Sequence, residues 1–193
     1  MKKLYLFFIT LIFFTSCKKD IEHASWEANI SKKNANSLPE LFNQTGSERL
    51  LEIISSKDQN KIANYNKLKA DQIASYFYEK YKLDIRDEFV DNPEGIIILG
   101  MIYAAKEYED KKLKRKSNSL EVMKTSDEEM NCFFVAVESV IGIAEAKSIW
   151  RSITMGASKE LVISSVSLIG KRVIAVWSLA VLIYNVGGCL EWW

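Results

Sequence analysis

Between Val173 and Leu190 the chain runs for 18 residues without a charged side chain. An apolar helix of that length must be covered, and three covers exist: the protein's own core, a lipid bilayer or a partner protein. A membrane span takes about 20 apolar residues, so the run stands at the lower limit. It is preceded by Lys171 and Arg172, interrupted by Ser178 and Asn185, and followed by Gly187 and Gly188. This pattern favours a buried core helix, with membrane insertion and docking onto a protein partner as alternatives. Upstream, residues 132–154 read as one helix, with Phe133, Val137, Val140, Ile141, Ala144 and Ile149 broadly on one side and Glu138, Glu145 and Lys147 elsewhere. Gly156 and Ser158 read as a stop and a restart, and the second helix runs from about Lys159 to Val186, ending at the paired glycines. Helices joined by a short turn run antiparallel, which places Cys132 and Cys189 together at the open end of a helical hairpin.

The remainder of the chain also reads as helix. Ser37 and Glu40 form a capping box with Pro39 in the first turn, and Thr45 and Glu48 form a second. The second box opens a short helix whose apolar face is Leu50, Leu51, Ile53 and Ile54. Ile62, Tyr65, Leu68, Ile73, Tyr76, Phe77 and Tyr81 then recur at mostly helical spacing. Asn92 or Asp91 caps a further helix with Pro93 at its first position. Its first half, GIIILGMIYAA, is apolar all round, as in the buried centre of a bundle. No alternating strand pattern is convincing. The expected fold class is all-α, a small helical bundle over residues 37–110 plus the C-terminal hairpin over 132–193. Residues 111–131, which open on Lys111, Lys112, Lys114, Arg115 and Lys116, read as a basic, polar linker. That charge is most simply a solvated helix end; contact with anionic headgroups and a protease site are the sharper readings.

The first sixteen residues carry Lys2 and Lys3, then an apolar run from Leu4 to Phe14, then Thr15 and Ser16. Basic, apolar and small, in that order, is the layout of a removable secretory signal, and the apolar run is too short to be a permanent span. Phe14-Thr15-Ser16-Cys17 resembles a lipobox, the recognition sequence of bacterial lipoproteins, with Phe14 where Leu is usual. The resemblance implies cleavage after residue 16 and lipidation of Cys17 with acyl chains such as palmitate. Lys18, Lys19, Asp20 and Glu22 resemble the start of lipoproteins from the Bacteroidota, which implies the outer membrane. More than one acyl chain gives stable membrane attachment. Residues 17–36 then read as a lipidated, flexible tether in which Trp26 and Ile30 are bulky and apolar.

Of the three cysteines, lipidation takes Cys17 and leaves Cys132 and Cys189. Exported chains meet an oxidising compartment, so these two are expected to pair. The closed loop of roughly sixty residues stabilises by about 4 kcal/mol in the chain-entropy estimate. Such a bond would staple the hairpin shut.

Loss of Lys2 and Lys3 with the signal takes the formal charge from +1 to −1, so nothing points to nucleic acid. No nucleophile elbow, phosphate loop or paired-cysteine metal motif is present. The one histidine, His23, lies in the tether. Asp84, Arg86, Asp87 and Glu88 form a charged loop, and Asp127, Glu128 and Glu129 suit a helix start. Catalytic, cofactor and metal residues are therefore expected to be none. The expected function is that of a non-catalytic, membrane-anchored lipoprotein with a binding or structural role at the cell envelope. Its partners would be the membrane, through lipid on Cys17, and a protein docked on the hairpin. The alternative is a membrane-active effector, bacteriocin- or toxin-like, whose hairpin is the active part.

Overall fold

The computed structural model describes residues 35–116, 125–170 and 175–193. The expected signal (1–16), Cys17, and the tether through residue 34 lie outside the described residues. Eight α-helices are found among those described: α1 Leu38–Asn43, α2 Ser47–Ser55, α3 Gln59–Tyr81, α4 Pro93–Lys116, α5 Thr125–Ile141, α6 Ile143–Thr154, α7 Lys159–Gly170 and α8 Val176–Cys189, with a 3-10 turn at Asp87–Phe89 between α3 and α4. The class is all-α, as expected, and Cys132 of α5 is bonded to Cys189 of α8 with their Cα atoms 5.5 Å apart.

Helix starts follow the local chemistry. Ser37 Oγ accepts the Glu40 amide at 3.3 Å, while the Glu40 carboxylate reaches back to the Asn36 amide at 3.0 Å. Asp58 Oδ1 accepts the amides of Asn60 and Lys61, opening α3. The expected cap at Thr45 is not used: Gly46, at φ +74°, is the N-cap of α2, and the Thr45 hydroxyl is buried. α3 ends on Lys82 in the left-handed region, which turns the Leu83 amide back onto Phe77 O at 3.5 Å.

The central helix is the first half of α4. Gly95 through Ala105 are buried without a gap, as its all-round apolar sequence requires. Gly100 lets α3 approach closely, since a Cβ there would lie 2.7 Å from Ile73 Cδ1. The disulfide-closed segment holds four helices where two were expected. Gly142, at φ +90°, separates α5 from α6, a backbone that a side chain resists. The Glu145 carboxylate also lies 2.6 Å from where a Cβ would stand. The second break is seen at Ala175, whose extended backbone is the N-cap of α8.

α8 is the cover for much of the molecule. It packs against α5, α3 and α2, and more lightly against α4 and α1. Leu179, Ala180, Leu182, Ile183, Val186 and Leu190 are buried, while Trp177, Asn185 and Gly188 mark a narrow exposed strip. The helix continues through the paired glycines, and Gly187 is needed there, because a Cβ would collide with the Trp193 ring. Trp192 is buried and stacks on Phe42 of α1 at 4.7 Å between centroids. Residues 35–193 consequently form one compact unit. Of the 111–131 stretch, 111–116 continue α4 and 125–131 open α5. No described helix is long and apolar enough to cross a membrane.

Candidate functional site

Two polar groupings stand out, one inside the bundle and one where the chain joins it. The inner one is built on α3. Tyr65 and Lys69 are one turn apart on the buried stripe that also carries Ile62, Ile73 and Phe77, and both are fully enclosed. Lys69 Nζ donates to Leu41 O, a carbonyl in the last turn of α1, at 2.6 Å. A cation in that position satisfies one of the carbonyls a helix end leaves open. Burial pulls the Lys69 ammonium down to about 7, against an ordinary value of 10.5. Burial also pushes the Tyr65 phenol far above its ordinary value, with the Thr45 hydroxyl partly opposing. Neither hydroxyl, Tyr65 Oη or Thr45 Oγ1, closes a hydrogen bond of normal geometry. An enclosed amine with a carbonyl partner can lock α1 to α3.

The outer grouping centres on Glu107 of α4. Its Oε1 accepts from Tyr76 Oη at 2.6 Å and from Lys80 Nζ at 2.7 Å, and Lys80 also donates to the Tyr76 hydroxyl. Its Oε2 accepts the Leu38 amide at 3.0 Å. One carboxylate therefore ties the first residue of α1, the last turns of α3 and the middle of α4. Burial and the Glu107 carboxylate both hold the Tyr76 proton on, against the opposing pull of Lys80. Burial acts to lower Lys80, yet the bonds to Glu107 and Tyr76 outweigh it and the net shift is upward. Beside them, burial and then the Glu107 charge push Tyr81 up to about 12. Tyr103 also rises to about 12, by burial first and then by the nearby Tyr81 and Glu160. Lys80 and Lys159 both lie over the Tyr81 ring, at 5.6 and 4.8 Å. Burial and the Glu107 charge favour the protonated form of the Tyr76 and Tyr81 phenols, and the Glu107 carboxylate ties three helices together.

Of the residues singled out from sequence, Cys132 and Cys189 are brought together in the disulfide. Cys17 and His23 lie outside the described residues. The Asp84, Arg86, Asp87 and Glu88 loop is exposed. Asp84 there accepts from the Arg86 backbone amide at 3.2 Å and guanidinium at 3.4 Å, and Arg86 reaches Ser75. Asp127, Glu128 and Glu129 fall in the opening turns of α5. No grouping of three or more potential metal ligands occurs among the described residues. Sequence reasoning missed Lys69, placing Leu68 on the apolar stripe instead; the signal was its spacing, four residues after Tyr65 and four before Ile73. It missed Glu107 as well, which reads as one more acid in an exposed, charged helix. No family model, curated protein or solved structure matches this chain.

Proposed function

We propose that this protein is a non-catalytic lipoprotein of the cell envelope, held to the outer membrane by lipid on Cys17, with a binding or structural role. The observation that carries the reading is the Cys132–Cys189 bond. A structural disulfide belongs to an oxidising, exported setting. It also leaves Cys17 as the odd cysteine, immediately after a signal-like segment and a lipobox-like tetrapeptide. The half-buried Glu107 carboxylate and the Tyr76 phenol are engaged in tying helices, which supports a binding role over a catalytic one. The burial of α8 in the bundle, and its covalent tie to α5, support the same reading over a membrane-active hairpin.

The test is the intact mass of the protein from its own membranes, before and after reduction. The expected mass is that of a chain beginning at Cys17 plus acyl chains, with about a two-dalton gain when the single bond is reduced. A Cys17→Ser variant is expected to leave the membrane fraction. An unacylated mature chain would sink the proposal.

A further inference from the structure

We infer that the last turns of α4 form a docking surface for the anionic headgroups of the membrane to which the chain is tethered. The inference rests on the lipid-anchor reading for its geometry. Its chemistry stands on the described residues.

The place where the chain joins the bundle is fixed by the Leu38 amide on Glu107. From Glu107, Lys111 and Lys114 follow at i+4 and i+7 on the same face of α4. The junction and the basic turns therefore share one stripe of one helix. Lys112 lies beside that stripe, its Nζ 5.6 Å from the centre of the Tyr108 ring. Tyr108 Oη in turn donates to Glu191 at 3.3 Å. This brings the chain segment of Trp193, whose ring stacks on Tyr184, to the same end of α4. Tyrosine and tryptophan rings of this half-buried kind suit the headgroup level of a bilayer.

The charge is one-sided. Residues 111–116 hold five cations and no acid. Cations in a last helical turn also complement the helix dipole, and that alone would call for one or two. It gives no account of Leu113, which stands 54% exposed amid the lysines. An exposed leucine set among cations fits a surface that is anionic outside and apolar beneath. The tether adds the occupant. About eighteen residues separate Cys17 from the bundle, and a flexible chain of that length has a mean reach of roughly 25 Å. Headgroups are thus presented to this surface at a high effective concentration, so weak contacts suffice to orient the bundle.

The test uses residues 18–193, which contain the whole compact unit and lack Cys17, so the result does not depend on acylation. Vesicles of phosphatidylcholine alone, or with about 30% phosphatidylglycerol, are sedimented with the protein. Binding is expected only with the anionic lipid, and it should fall steeply between about 50 and 500 mM salt. Each lysine near such a surface contributes about a five-fold factor. The Lys111→Gln/Lys112→Gln/Lys114→Gln variant should therefore bind roughly a hundred-fold more weakly with an unchanged melting curve. A Lys61→Gln/Lys67→Gln/Lys147→Gln variant, with the same charge removed elsewhere, should bind as the parent does. Equal binding to both vesicle types, binding to neither, or equal losses in the two variants would overturn the inference. Failure of the anchor is read separately, by the mass measurement.

Discussion

Lys69 carries the residue-scale consequence. Its folded amine releases its proton near pH 7, while in the unfolded chain it holds it to about 10.5. Below the lower value both states are charged, and above the higher value both are neutral. Between them the unfolded state binds more protons, so this group makes stability rise with pH across that window and flatten below it. Replacing the amine by an apolar side chain of similar length removes the cost of burying a charge but strands the Leu41 carbonyl. The first effect is the larger. A Lys69→Met variant should gain about 1–3 kcal/mol at pH 6 and lose the rise between pH 7 and 10, read by urea unfolding at several pH values.

Two glycines give a matched pair at the same scale. At Gly100 a methyl meets Ile73 in a sealed core; overpacking costs about 1–3 kcal/mol and exceeds the roughly 1 kcal/mol that alanine gains in a helix. At Gly188 nothing stands within 4 Å. Gly100→Ala should lower the melting temperature and Gly188→Ala should raise it by a few degrees.

Among the elements, α8 shows both how far the sequence could be read and where it stopped. The uncharged run from Val173 announced a buried helix, and the cysteines announced its tie to the segment opening at Cys132. What it packs against was not legible, because an apolar surface specifies burial and leaves the partner open. The breaks at Gly142 and Ala175 were hidden for a related reason: apolar spacing continues across them, and at Gly142 the signal is only a glycine whose backbone angle no sequence states. Lys69 and Glu107 are the polar counterpart. A lysine or glutamate in a charged helix reads as solvated, and only the arrival of α1 turns each into a tie. The disulfide closes a separation of 57 residues, which gives the α5–α8 pairing about 4 kcal/mol. Reduction, or a Cys132→Ser/Cys189→Ser variant, should therefore lower stability by about 2–4 kcal/mol while leaving the helical circular dichroism intact below the transition.

For the whole molecule, α8 makes the two sequence-defined halves one cooperative object. It covers α2 and α3 from one half and α5 from the other, and Trp192 seals α1 through Phe42. Residues 35–116 alone would expose the faces that Leu179, Leu182 and Ile183 cover. That fragment is expected to lack a sharp thermal transition and to show poor dispersion in its amide NMR spectrum, while residues 35–193 melt in one step. A separate, sharp melt of the fragment would contradict the single-unit view.

The stacking of Trp192 on Phe42 also sets a clock. These rings lie about 150 positions apart along the chain, and synthesis adds roughly 5–20 residues per second. The earliest helices to leave the ribosome therefore wait on the order of ten seconds for the ring that closes over them. Throughout that interval the nascent chain keeps apolar faces open to chaperones and has no finished globule.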